Sequence, residues 1–213
     1  MVPAPKPNPD WVKIVQRYIP ALARTAARLS ASGWAEKNAG NFSIRINEYL
    51  LTKITGYSMS QIARDPFPYI CLVKPNKVGF RYRVSPPGVK PTEELPTHIL
   101  GQRILTAFRP QEIVLLHTHP TEIVHLTRIF PHPRTLLQKL TALDGKIPGG
   151  FAVVPFLKPG SISLARATAR ALKTNRLVIW INHGAIASGK TLFEAFRLIW
   201  QFNNLTRKLL DSR

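Results

Sequence analysis

The chain has 213 residues, 45% of them hydrophobic, which is enough to bury one sizeable core and excludes a disordered chain. Thirty Lys and Arg against 11 Asp and Glu give a formal net charge of +19, a field that attracts phosphate groups of any kind without saying which. One cysteine, Cys71 in the apolar stretch YICLV, excludes an internal disulfide, no run reaches the ~18 apolar residues of a membrane span, and MVPAPKPNPDW lacks a signal peptide's apolar stretch, so a cytoplasmic protein is expected.

Residues 1–8 read as a flexible amino-terminal arm, and Asn8 and Pro9 as the cap and first position of a helix. Trp11, Ile14, Val15, Tyr18, Ile19, Leu22, Ala26 and Leu29 recur at helical spacing, Pro20 should kink or split the run, and Gly33 should end it. The period then changes: Phe42, Ile44 and Ile46 alternate with Ser43 and Arg45, as in a half-buried strand. Further strands are predicted at 50–54, 69–74, 78–83, 112–117, 151–156 and 176–182, and helices at 94–107, 121–130, 133–142, 161–173 and 190–211. Strands and helices intersperse without a repeat or a linker, so residues 9–213 are expected to form one α/β domain. The last helix carries an apolar face through Leu192, Phe193, Phe196, Ile199, Trp200 and Leu205, broad enough for core plus an oligomer contact.

Three of the six histidines stand where a metal site would want them. In EIVLLHTHP, His117 and His119 are two apart on a predicted strand, so both imidazoles project from one face, and Pro120 stops the ladder just beyond. His183 closes a second apolar run, RLVIWINHG, beside the flexible Gly184. Converging imidazoles suit Zn²⁺ with an open fourth position, although paired strand histidines also occur as ordinary core or surface residues. In KPTEELPTHIL, Glu94 sits at a loop-to-helix junction and shares a helix face with His98. It is either a base held near the metal or an acid favouring the helix dipole.

GWAEKNAGNFSIRI (33–46), the TG of KITGYSMS (55–56), PTEELPTHI (91–99), VLLHTHPTEIVHLT (114–127) and IWINHGAIASGKTLFEAFRLI (179–199) together resemble the class II aldolase/adducin family. GWxExNxGN followed by PTxELPxH resembles its rhamnulose-1-phosphate aldolase branch in particular. The resemblance implies a three-layer α/β/α fold with a central mixed, mostly antiparallel sheet, assembled as a homotetramer. It places His117, His119 and His183 at the Zn²⁺ ligands, Glu94 at the catalytic acid/base, and Asn38, Asn41, Thr55, Gly56 and Thr92 around the substrate phosphate. The implied reaction is zinc-dependent, reversible cleavage of a phosphorylated sugar, a ketose 1-phosphate, to dihydroxyacetone phosphate and a short aldehyde through a metal-stabilised enediolate.

The chain departs from the pattern at Glu93, where similar aldolases have a small hydroxyl residue, and at TGYS, which replaces a more glycine-rich turn. An acid there calls for a compensating base such as Lys53, Lys37 or Lys90. Two alternatives stand beside the aldolase: a phosphopentulose dehydratase or epimerase on the same scaffold, and a non-catalytic basic binding module. The bases are spread over every element without the aromatic interleaving of a single-strand groove, so neither nucleic acid nor a membrane is the expected partner.

Overall fold

A computed structural model describes residues 9–140 and 147–212. The arm, its Asn8 cap and the end of the helix expected to reach 142 lie outside the described residues. The amino-terminal run divides as anticipated into α1 (Pro9–Gln16) and α2 (Ile19–Ala31). Pro20 falls in the first turn of α2, where its missing N–H leaves no bond unmade.

Eight strands follow: β1 (Asn41–Ile46), β2 (Tyr49–Lys53), β3 (Ile70–Pro75), β4 (Tyr82–Ser85), β5 (Val114–Thr118), β6 (Phe151–Val154), β7 (Leu177–Trp180) and β8 (Gly184–Gly189). They form one sheet in the order β4-β3-β2-β1-β5-β8-β7-β6, antiparallel throughout except for β6 beside β7. The remaining helices are α3 (Met59–Arg64), α4 (Leu95–Phe108), α5 (Thr121–Ile129), α6 (Pro133–Leu140), α7 (Ile162–Ala171) and α8 (Leu192–Asp211). The mixed, mostly antiparallel sheet expected from the resemblance is the one observed. None of the helices is long and apolar enough to cross a membrane, among the described residues.

Period-two alternation sorts the central strands between two helical layers. Val114 and Leu116 of β5 pack with Leu22, Phe42, Ile123, Ile199 and Phe202 on the side of α1, α2, α5 and α8. Leu115 packs instead with Leu105, Leu164, Leu172 and Trp180 on the side of α4 and α7. Complete burial of each such side chain contributes about 1.5–3 kcal/mol relative to exposure. The second layer matters most for the site, because His117 follows Leu115 by two residues and faces the same way.

Four expectations are corrected. The strand expected at 78–83 forms later, at β4, because Asn76 N–H donates to the Arg81 carbonyl and 76–81 turns instead. The polar face of β1 is only partly solvated: Arg45 is partly exposed, but Ser43 is completely buried under α4. Strand β8 and helix α3 were not anticipated. β8 is GAIASG, whose small residues read as a turn but allow α8 to approach: a Cβ on Gly189 would lie 2.9 Å from the Ala195 amide nitrogen. On α8, Leu192 and Ile199 are buried as expected, whereas Phe193 and Trp200 are half exposed.

Candidate active site

The site forms where β5 ends and β7 turns into β8. β5 stops at Thr118, so His119 lies one residue beyond the strand, and its amide is held by the Trp34 carbonyl at 2.9 Å. His183 does not close a strand as expected. It occupies the tight turn between Trp180 and Gly184, behind Asn182 at φ 57. The turn still brings it to the histidine pair, and one potential ligand nitrogen from each ring lies within 4.8 Å of the other two.

Close approach of backbone to side chain makes this convergence possible. A Cβ on Gly184 would stand 2.9 Å from His119 Cδ2 and 3.2 Å from His117 Cε1, and would strike the Thr118 carbonyl oxygen. Trp180 supplies the floor, its ring centroid 4.4 Å from that of His117 and 4.9 Å from that of His183. His117 Nδ1 donates to the Ala185 carbonyl at 2.9 Å, which leaves the lone pair on Nε2, directed at His119 Nε2 3.0 Å away.

Glu94 is the N-cap residue of α4, yet its side chain makes no capping bond. Its Oε1 lies 3.3 Å from His183 Nε2 and its Oε2 3.7 Å from His117 Nε2, and Oε2 has no hydrogen-bond partner although buried. Burial pushes the carboxyl up to about 8, opposed by a hydrogen bond from Asn41 and reinforced by the charge of Glu93. Burial likewise depresses His117 well below the usual imidazole range and His183 to about 4. Three imidazoles that burial keeps neutral, one ligand nitrogen of each within 4.8 Å of the others, beside a carboxyl oxygen lacking a partner are a donor set that suits a divalent cation, so the residues fit the implied Zn²⁺.

The five residues assigned to phosphate binding, Asn38, Asn41, Thr55, Gly56 and Thr92, all line one cavity of about 260 Å³ with Glu94 and the three histidines. Glu93 lines it too, and no cation stands within ion-pair distance of its carboxylate among the described residues. Lys53, weighed only as a compensating base, is a wall residue: 2% exposed, it donates to the Asn38 carbonyl at 2.6 Å, and burial lowers it to about 8. Pro159 and Gly160 complete the rim and were missed, for their PGS turn carries no chemical signal of its own.

The shifted groups set a pH dependence for the metal-free protein. His98, fully buried, is lowered to about 3, and with His117 and His183 it binds protons more readily when unfolded, so stability falls as pH drops from about 6.5. Glu94 has the opposite sign: its folded state holds the proton more tightly, so stability falls as pH rises from 4.5 toward about 8. Three histidines outweigh one carboxyl below pH 6.5, each proton contributing about 1.4 kcal/mol per pH unit at most. Between pH 4.5 and about 8, below the range in which Lys53 titrates, thermal melts of chelator-treated protein should give a maximum near pH 6.5, and a maximum below pH 5 would contradict these assignments.

The chain is similar to several known proteins. A rhamnulose-1-phosphate aldolase from Listeria welshimeri is 28% identical over 220 residues, covering 85% of this chain and 78% of that protein. A protein of the same name from Enterococcus faecalis is 27% identical over 221 residues, with the same coverage of 85% and 78%. The crystal structure of a sugar-phosphate aldolase from Thermotoga maritima superposes with a TM-score of 0.81 at 27% identity, covering 92% of this chain and 95% of that one. That of an L-fuculose-1-phosphate aldolase from Thermus thermophilus gives 0.67 at 22% identity over 93% and 95%, a likeness of fold. The family described as Class II Aldolase and Adducin N-terminal domain matches residues 20–210. The chain therefore belongs to the class II aldolase and adducin family, and within it is most like the rhamnulose-1-phosphate aldolases.

Proposed function

We propose that the protein is a zinc-dependent aldolase that reversibly cleaves a ketose 1-phosphate to dihydroxyacetone phosphate and a short aldehyde. The observation that carries this reading is the position of Glu94: a buried carboxyl touching two of three converging histidines and lining a cavity walled by phosphate-type donors. A Zn²⁺ held by His117, His119 and His183 would supply Lewis acidity at the substrate carbonyl. The chain's own residues do the rest.

Glu94 takes up and returns the proton as the bond between C3 and C4 breaks and forms, because its carboxyl alone among the acids of the site lies against the histidine cluster. Asn38, Thr55, Gly56 and Thr92 bind the phosphate through side-chain and main-chain donors, and the Lys53 ammonium in the same wall offsets part of its charge. Glu93 opposes that charge, so the phosphate is held chiefly by neutral groups. The half-exposed Phe193 and Trp200 on α8 fit the tetramer that the family resemblance implies, and a reducing, cytoplasmic setting fits the single buried thiol of Cys71.

Two steps test the reading. Purified protein loaded with Zn²⁺ should release dihydroxyacetone phosphate from L-rhamnulose or L-fuculose 1-phosphate. Chelation should abolish that release and added Zn²⁺ restore it. A single dehydrated product with the carbon chain intact would favour the dehydratase instead, and full activity in the chelated protein would refute the metal role.

A further inference from the structure

Behind the cavity wall stands a row of polar side chains that this chemistry does not use. His98, Ser43 and Gln102 are each no more than 2% exposed, and none lines the cavity. Such a row costs stability unless its groups are paired, so the direction of its hydrogen bonds is informative.

That direction follows from one end. A nitrogen of Gln102 lies 3.0 Å from the Ile113 carbonyl and 3.3 Å from the Ser43 carbonyl, and carbonyl oxygens only accept, so this end of the amide is its NH2. The same NH2 donates to Ser43 Oγ at 3.0 Å, which leaves the serine hydrogen for His98 Nδ1 at 2.9 Å. A neutral ring that accepts at Nδ1 carries its hydrogen on Nε2, and Nε2 points at Asn41 Oδ1, 2.6 Å away. Burial keeps the ring neutral, consistent with a single tautomer. With its carbonyl occupied, Asn41 turns its NH2 to the other side, where it hydrogen-bonds Glu94 at the cavity.

We propose that His98 is a positioning residue: it ties down the Asn41 carbonyl, so that the Asn41 NH2 is held toward Glu94 and the phosphate side of the cavity. Released from His98, the amide can rotate and present its oxygen to the Glu94 carboxylate, a repulsive contact. The inference rests on the acid/base role of Glu94 and extends it by naming what orients a hydrogen-bond donor to that residue, the Asn41 amide.

A double-mutant cycle on the zinc-loaded protein, joined to NMR of the histidine rings in the metal-free protein, tests it. His98→Leu should lower kcat roughly 10- to 100-fold, the scale of one lost hydrogen bond to a charged group, with KM changed less than about 3-fold. His98→Gln, which keeps a donor near the Nε2 position, should recover kcat to within about 5-fold of the parent. In an Asn41→Ala background, His98→Leu should add less than about a further 2-fold, because both changes remove one interaction. The His98 ring should carry its proton on Nε2, an observation independent of activity and of any variant's folding. Additive losses in the cycle, equal losses in the Gln and Leu variants, or a proton on Nδ1 would overturn the proposal. A parent protein that released no dihydroxyacetone phosphate would refute the aldolase reading instead, and the tautomer would still decide the hydrogen-bond direction.

Discussion

Glu94→Gln should lower turnover by roughly 10²- to 10⁴-fold, the usual contribution of a positioned proton-transfer group, while the protein retains its metal. The amide has the shape of the carboxyl and the same buried surroundings, so packing around His117 and His183 is preserved. Helix α4 loses nothing either, since the Glu94 side chain makes no capping bond. What disappears is the capacity to carry a proton. Stability of the metal-free protein should hold or rise, because burial already opposes ionisation of this carboxyl. Metal content by emission spectroscopy, beside kcat and the melting temperature, separates these outcomes. Unchanged turnover would remove Glu94 from the chemistry, and lost metal would make it chiefly a ligand.

The second large effect is expected from a change that removes no functional group. Gly184→Ala adds one methyl where the end of β8 crosses the histidines, against His119 Cδ2, His117 Cε1 and the Thr118 carbonyl. The oxygen belongs to the backbone of β5 and cannot swing aside, so the end of β8 must part from β5. Both rings then move, and so does the Ala185 carbonyl that fixes the His117 tautomer. We expect Zn²⁺ affinity to fall about 10- to 100-fold, as when a group that orients a ligand is lost. The apo protein should also be destabilised by about 1–3 kcal/mol, the cost of overpacking. Gly33→Ala is the control: its φ of +70 strains any side chain, but nothing lies within 4 Å of the added carbon, so stability alone should respond. Equal metal affinity in Gly184→Ala and the parent protein, by titration calorimetry, would contradict the packing argument.

Where the sequence was legible, a period or a motif carried the signal. Alternation gave β1, the apolar run EIVLLHTHP placed β5 to within two residues, and helical spacing with Gly33 as its stop gave α2. The HTH spacing also foretold convergence of His117 and His119, although His119 lies one residue past the end of β5. The failures have physical causes. β8 is made of Gly, Ala and Ser with one Ile, a composition chosen by close packing against α8 and by the histidines, and such residues carry little strand propensity. α3 is only six residues long, so no apolar period develops, but its capping box, Ser58 with Gln61, is readable in SMSQ and was overlooked. His183 reached the site by another route than expected, through a turn, and the strand-end argument succeeded for it only in outcome. Lys53 and the row behind Asn41 were invisible as a group, because a sheet pairing and a helix crossing bring Ser43, His98 and Gln102 together across more than 50 residues.

The charge with which the sequence opens is only partly absorbed by the site. Among the described residues lining the cavity, Lys53 is the one lysine and none is an arginine, whereas Glu93 and Glu94 both line it. The strongly basic surface and the nearly balanced cavity are therefore separate features, the first drawing anions in and the second selecting among them by geometry.

Proton exchange at the hydroxymethyl carbon of dihydroxyacetone phosphate in D2O, followed by NMR without any aldehyde present, tests the account most directly. It isolates the step assigned to Glu94 and does not depend on which sugar is the natural substrate. The zinc-loaded protein should exchange one of the two hydrogens, and Glu94→Gln with its metal retained should exchange neither at a comparable rate. No exchange by the zinc-loaded protein, or undiminished exchange by Glu94→Gln, would contradict it.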